Sequence, residues 1–87
     1  MDNKKTRKYY RIVVHRYPPY SFVNGSYYME EDVYAYSEDG ALNSFERYHS
    51  KGYGNNYAES IREITKEEFR GQHITKHIPN PNEEVTA

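Results

Sequence analysis

Tyrosine sets the first constraint on what this chain can fold into. Eleven of its 87 residues are tyrosine, whereas isoleucine, valine, leucine, methionine and phenylalanine together number 16. A chain of this length forms one small domain and buries only about 60–65% of the surface that its unfolded state exposes. Such an interior cannot hold eleven phenol rings and their hydroxyl groups. Several rings must be exposed, and an exposed aromatic patch indicates a partner or a second copy of the chain.

The residue types that are missing exclude several kinds of chemistry. The sequence contains no cysteine, which excludes a disulfide, a thiolate zinc site and a cysteine nucleophile. No apolar run approaches the roughly 18 residues of a membrane span. Residues 1–8 lack the apolar stretch of a signal peptide. We therefore expect a cytoplasmic protein with no membrane partner.

Charge is unevenly distributed, although the net charge is only −1. Residues 1–17 hold six basic residues and one acidic residue, a net charge of +5. Residues 30–68 hold ten acidic and four basic residues, a net charge of −6. This dipolar layout suits a surface that meets an oppositely charged partner. Alternatively, the two regions neutralise each other within the fold.

The first third of the chain predicts two strands joined by a hairpin connection. Residues 8–17 are rich in Tyr, Ile and Val, and their alternation places Tyr10, Ile12 and Val14 on the core face. Residues 18–26 contain two consecutive prolines, which end the strand, and an Asn-Gly pair, which favours a tight turn. An ordered connection is therefore expected there.

A second strand and a helix follow. Residues 27–36 predict the strand, and the acidic residues 30–32 indicate either a bulge or a late strand start. Ser37 is a favoured N-cap residue, and two acidic residues after it suit the positive end of the helix dipole. Apolar residues at helical spacing then predict a helix over residues 38–51.

The remaining elements are shorter. Residues 53–57 predict a loop and residues 58–65 a third strand, with apolar residues spaced three apart that indicate a bulge or a helix start. The sequence Thr65-Lys66-Glu67-Glu68 matches a capping box, which predicts a short helical turn. Residues 72–78 can add an edge strand.

Together these elements predict an α+β fold. A small antiparallel sheet in β-β-α-β order would carry one helix on one face and leave the other face open. Residues 1–7 are expected to form a flexible basic N-terminus, residues 8–78 a single domain and residues 79–87 a disordered tail.

The open face is the expected binding surface. Alternation puts several tyrosines on the side of the sheet away from the helix, mixed with one arginine and one histidine. Tyrosine provides a large contact area and tolerates water, which suits recognition. The predicted partner-binding residues are Tyr9, Arg11, His15, Tyr17, Tyr34 and Tyr36. The alternative is that these rings substitute for leucine in a thin core and pair across strands.

Binding of nucleic acid is the main alternative function. Basic residues alternate with aromatic ones near the N-terminus, and such residues neutralise phosphate and stack on unpaired bases. The predicted phosphate-contacting residues are Lys4, Lys5, Arg7, Lys8 and Arg11. The pI of 6.4 and the acidic middle of the chain argue against a dedicated nucleic-acid domain.

Catalytic and metal sites are not expected. His73 and His77 lie four apart, but the residues between them favour extended structure, so a titrating surface pair is the preferred interpretation. No serine lies in a nucleophile motif, and Glu67 and Glu68 are interpreted as cap residues. We predict no metal, no cofactor and no enzymatic activity.

Two resemblances bear on function. Residues 33–42 (VYAYSEDGAL), followed by Phe45, Ile61 and Ile64, resemble a recurrent β-β-α-β pattern with the layout of the ribosomal-protein-LX type of domain. The resemblance covers residues 8–65 and assigns no site residue. In size, tyrosine content, acidity and polar ends, the chain is also similar to small accessory proteins encoded by bacteriophages, and this similarity implies an inhibitor of bacterial enzymes or defence systems.

The sequence therefore predicts a non-catalytic binding protein. It would act in the cytoplasm of a bacterial host cell as a phage-type inhibitor or modulator of a host or defence macromolecule. The expected partner is a bacterial protein or ribonucleoprotein. The alternatives are direct binding of RNA and self-association as a homodimer through tyrosines and edge strands.

Overall fold

Four antiparallel strands and one helix make up the part of the chain that the structure describes. The structure is a computed structural model, and it describes residues 6–17, 25–50 and 55–81. The elements are β1 (Lys8–Tyr17), β2 (Tyr27–Ala35), α1 (Glu38–His49), β3 (Asn55–Ile64) and β4 (Thr75–Ile78). The strands lie in the order β3-β1-β2-β4, with antiparallel neighbours. The predicted α+β fold, a small antiparallel sheet with one helix, is confirmed.

The two central strands pair without interruption. Their register runs from Lys8 opposite Ala35 to Arg16 opposite Tyr27. The acidic residues 30–32 therefore cause neither the bulge nor the late start that the sequence suggested. Glu31 and Asp32 are fully buried on opposite faces of β2, and each carboxylate accepts hydrogen bonds there. The predicted hairpin connection lies mostly outside the described residues, which resume at residue 25.

The irregularity in the sheet belongs to β3. The register between β1 and β3 shifts between Val13 and Val14, which places Ser60 opposite Val13 but Ala58 opposite Val14. Glu59 is the extra residue. Because of such a bulge, the odd-numbered residues of β3 point to one face of the sheet after Glu59 and to the other face before it. The predicted loop at residues 53–57 is wrong for its last three residues, because β3 begins at Asn55 and pairs with β1 from Tyr9 to Tyr17.

The helix covers one face of the sheet and closes the core. Ser37 acts as the predicted N-cap, since its Oγ accepts a hydrogen bond from Gly40 N at 3.0 Å. The helix runs from Glu38 to His49, and Lys51, predicted in its last turn, lies outside the described residues. The core contains Tyr10, Ile12 and Val14 of β1, Met29 and Val33 of β2, and Ala41 and Phe45 of α1.

A connecting segment crosses the opposite face of the sheet. Residues 65–74, here called the strap, lead from β3 at one edge to β4 at the other edge. The strap begins with the predicted capping box, in which Thr65 N donates to Glu68 Oε1 at 2.9 Å and Glu68 N donates to Thr65 Oγ1 at 3.2 Å. The face away from α1, here called the outer face, is therefore not fully open as the sequence predicted.

The strap ends in a sharp change of direction, so β4 begins at a later residue than the sequence predicted. Gly71 has a φ of 136°, and a Cβ at this position would lie 2.9 Å from Ile74 Cγ1. His73 has a φ of 59°, a left-handed conformation that is uncommon for residues other than glycine. The edge strand predicted over residues 72–78 therefore begins only at Thr75.

The ends of the described chain extend little beyond the sheet. Residues 1–5 and 82–87, which form most of the predicted flexible N-terminus and disordered tail, lie outside the described residues. Within the described ranges, no helix has the length and apolar character needed to cross a bilayer.

Candidate binding surfaces

The strap covers one half of the outer face. Tyr9 and Tyr34 are cross-strand partners whose rings stack with centroids 4.9 Å apart, and Phe69 of the strap lies 4.8 Å from the Tyr9 ring. Tyr9 is half-buried as a result, whereas Tyr34 keeps part of its ring exposed. Aromatic clustering of this kind stabilises a sheet. Tyr9 therefore packs against rings of the sheet and of the strap, as in the alternative interpretation of the tyrosines.

Arg11 lies buried beneath the same strap. Its Nε donates to Asp32 Oδ1 at 2.8 Å, and its Nη2 donates to Asp32 Oδ2 at 3.1 Å and to Glu68 O at 2.8 Å. Arg70 N donates to the same carboxylate at 2.9 Å. The expectation that Arg11 stands exposed among the tyrosines is wrong, because Asp32 lies directly opposite it and the strap covers the pair.

The pKa of Asp32 shows how this ion pair contributes to the fold. Burial raises the pKa of Asp32, but hydrogen bonds from Arg11 and from Arg70 N, together with their charges, bring it below its ordinary value of 3.8. The hydrogen bond with Asp32 also raises the pKa of Arg11. A depressed carboxyl pKa stabilises the fold above the unfolded-state pKa, and that contribution is lost as the pH falls through the folded-state pKa.

The uncovered half of the outer face carries a second aromatic group. His15 stacks on Tyr28 with centroids 4.1 Å apart and lies 4.4 Å from the Tyr17 ring, which in turn meets Tyr57 edge-on at 5.6 Å. We call His15, Tyr17, Tyr28 and Tyr57 the His15 face. Tyr17 and Tyr57 are 43% and 53% exposed. Rigid strands therefore present two accessible phenol rings beside an imidazole.

Two shallow clefts flank the imidazole of His15. One, of about 440 Å³, is lined by His15, Tyr17, Asn55, Tyr57 and Glu59. The other, of about 420 Å³, includes His15, Tyr28, Ile78 and Asn80. Among the described residues, His15 Nε2 is the buried side-chain nitrogen with no hydrogen-bond partner. Buried polar atoms are usually paired, so the unpaired nitrogen is an unusual feature of the His15 face.

The other predicted binding residues gather at the opposite end of the sheet. Arg7 Cζ lies 5.1 Å from the Tyr34 ring centroid and 5.0 Å from that of Tyr36, so one guanidinium contacts two rings. These residues line a cleft of about 480 Å³, here called the Arg7 cleft, together with Ser44, Arg47 and Gln72. Lys8 is exposed, whereas Lys4 and Lys5 lie outside the described residues.

Three surface residues were missed by the sequence reasoning. Tyr57 falls in the predicted loop, and simple alternation from Ile61 would put it on the core face. The bulge at Glu59 instead moves it opposite His15 on the outer face. Tyr28 could have been found from the alternation of β2, whereas no sequence signal connects Arg47 of the helix with Arg7.

A buried carboxylate on the helix side of the sheet was also not anticipated. Glu31 accepts hydrogen bonds from His49 Nε2 on Oε1 and from His73 Nδ1 on Oε2, both at 2.6 Å. The carboxylate is fully buried, and the two imidazoles come from α1 and from the strap. We call these three residues the Glu31 latch. His73 also stacks on Tyr48 at 3.9 Å, so the predicted surface pair of His73 and His77 is not formed.

Ser44 extends this latch through a contact with His73. Its Oγ lies 3.3 Å from His73 Nε2, which gives a serine–histidine–glutamate chain. Ser44 lies inside α1, where neighbouring backbone N–H groups are bonded within the helix and cannot serve as oxyanion donors. Among the described residues, no group of three or more potential ligands is arranged to hold a metal ion.

No protein-family model, curated protein or solved structure matches the chain. The resemblances to ribosomal-protein-LX-type domains and to bacteriophage accessory proteins therefore stay predictions.

Proposed function

We propose that the chain is a non-catalytic binding protein that recognises a bacterial protein or ribonucleoprotein through the His15 face. One observation carries this proposal: Tyr17 and Tyr57 are exposed on adjacent strands beside the buried, unpartnered nitrogen of His15. Following the resemblance to bacteriophage accessory proteins, we further propose that binding inhibits or modulates a host or defence macromolecule inside the bacterial cell.

The construction of the His15 face supports such a role. Tyrosine loses little side-chain entropy on binding and offers both apolar area and a hydroxyl group. Here the rings are already held by neighbours: Tyr17 lies between His15 and Tyr57, and Tyr28 stacks on His15. Side chains that are ordered before binding reduce the cost of association. The two clefts beside His15 would receive side chains of the partner.

Removing the two exposed rings of the His15 face should abolish binding of this partner. In the variant Tyr17→Ser/Tyr57→Ser, the lost aromatic contacts should weaken binding at least 30-fold, since a hot-spot residue contributes about 2 kcal/mol or more. The measurement is affinity capture from a bacterial lysate, with and without ribonuclease, followed by titration of the captured component.

The matched control is Tyr48→Ser, which removes an exposed tyrosine of α1, on the other face of the sheet. This control should retain the partner, and all variants should keep the wild-type far-UV circular dichroism spectrum. Capture that is equal for the double variant and the wild type would remove the His15 face from the proposal. Capture that disappears with ribonuclease would favour RNA.

Direct binding of RNA is a second candidate function. The observation that favours it is Arg7, whose guanidinium lies against the exposed rings of Tyr34 and Tyr36 at the end of the sheet where β1 begins. Arg11 is no longer part of this set, because its charge is paired with Asp32.

Affinity for single-stranded RNA should fall steeply with salt if this second function is correct, because binding releases counterions from phosphates. With two or three phosphate contacts, a fourfold rise in salt should weaken binding by about 7–20-fold, given a slope of about −0.7 per contact. Fluorescence anisotropy with a labelled oligonucleotide measures this slope. An affinity that does not change with salt would contradict phosphate recognition.

A further inference from the structure

We propose that the Arg7 cleft binds one nucleotide unit, a phosphate ester joined to a flat base, and that Arg47 of α1 contacts the phosphate. This inference deepens the second proposed function and rests on it in naming single-stranded RNA as a source of that unit. A free nucleotide has the same chemistry, so the two sources are separated by experiment.

The two arginines of the cleft are available for an anion. Arg7 precedes β1 and Arg47 lies in the last turn of α1, yet both line the same cavity. Within the described ranges, the salt bridges use Arg11, Arg70, His49 and His73, and neither cleft arginine takes part. The nearby acidic residues at the start of α1 are not among the cleft's lining residues. Two arginines that form no salt bridge within these ranges and line one cavity suit a phosphate.

The aromatic wall of the cleft suits a base. Tyr34 and Tyr36 are 37% and 48% exposed, and the guanidinium of Arg7 lies against both rings. Tyrosine rings and guanidinium planes are the groups on which unpaired bases stack in RNA-binding proteins. A site that binds only an anion would not need this flat wall. The combination of arginines and aromatic rings therefore favours a nucleotide over inorganic phosphate as the ligand.

The size and polar groups of the cleft are consistent with one such unit. Its volume of about 480 Å³ lies in the range of small-molecule sites. Gln72 is fixed at the wall because its Oε1 accepts a hydrogen bond from Tyr34 N at 2.7 Å. Its side-chain amide group remains as a donor toward a base edge. Ser44 lines the same cavity.

The test compares Arg47→Gln with Arg62→Gln in the full chain. Each variant removes one positive charge from an exposed arginine, but Arg62 is not a lining residue of the Arg7 cleft. Binding of a fluorescein-labelled U8 RNA is measured by anisotropy at low salt. Loss of a charge-assisted hydrogen bond should weaken binding about tenfold in Arg47→Gln. Arg62→Gln should stay within about twofold, because it loses only long-range attraction.

A second arm uses UMP and inorganic phosphate with the isotopically labelled wild-type protein. We expect UMP to shift the amide resonances of Gly40, Ser44 and Gln72, and phosphate alone to shift them less. RNA binding that is unaffected by Arg47→Gln overturns the cleft but not the RNA function. If UMP shifts these amides but RNA does not bind, the cleft is supported as a nucleotide site and the RNA-binding function is wrong.

The remaining outcomes also decide the question. If neither U8 nor UMP binds, both the cleft and the RNA function are wrong. If phosphate produces the same shifts as UMP at equal concentration, the base-binding role of Tyr34 and Tyr36 is wrong. Circular dichroism of each variant verifies that a loss of binding does not come from unfolding.

Discussion

Replacing Asp32 with alanine is expected to lower the free energy of unfolding by about 3–5 kcal/mol. The substitution leaves the guanidinium of Arg11 buried without its carboxylate partner and takes the acceptor from Arg70 N. A loss of this size is a large part of the roughly 5–15 kcal/mol that stabilises a natural domain. Urea denaturation followed by circular dichroism measures the change.

A residue two positions earlier in the same strand provides the control. Glu30 pairs with Arg70 Nη2 at 2.8 Å on a more exposed part of the sheet, so Glu30→Ala should cost no more than about 1 kcal/mol. If Asp32→Ala fails to fold, Asp32→Asn retains one acceptor and allows the comparison. Equal losses for the substitutions at positions 30 and 32 would show that the buried ion pair does not hold the strap.

The second large effect is expected at the Glu31 latch. His49→Ala removes the donor to Glu31 Oε1 and leaves a fully buried carboxylate with His73 as its remaining donor, which should cost about 2–3 kcal/mol. His49 is the better position for this test, because it lies in ordinary helix, whereas His73 has a left-handed backbone that alanine would strain.

A double-mutant cycle separates the hydrogen bond from packing. In the Glu31→Met background there is no carboxylate to satisfy, so His49→Ala should cost less than about 1 kcal/mol, mainly from lost contact with the Phe45 ring. Denaturant unfolding of the four proteins gives the coupling energy. The same cost in both backgrounds would mean that His49 stabilises the fold by packing alone.

The alternation of the strands made much of the architecture predictable. Tyr10, Ile12 and Val14 lie on the core face as their spacing predicted, and Ser37 caps the helix as its side chain and position predicted. These features depend on neighbours within a few residues in the chain. Local rules of strand alternation and helix capping are therefore enough to find them.

What the sequence did not reveal depends on contacts between distant segments. Ile61 and Ile64 are spaced three apart because they point to opposite faces and are both shielded, Ile64 on the outer face beside Tyr9. That spacing reflects the covered outer face and not the bulge or helix start that it predicts from the sequence alone. The burial of Arg11 also depends on contacts between distant segments. Its partner Asp32 is 21 residues away in the chain, and the part of the strap that it contacts is more than 50 residues away.

The ends of the described chain emerge at opposite ends of the sheet, which matters for how the protein is handled. Thr6 directly precedes a lining residue of the Arg7 cleft, and Asn80, near the other end, borders one cleft of the His15 face. The described chain therefore enters the fold beside one proposed surface and leaves it beside the other. A tag joined directly before Thr6 is the one to avoid when the Arg7 cleft is assayed, and a tag joined directly after Asn80 is the one to avoid when the His15 face is assayed.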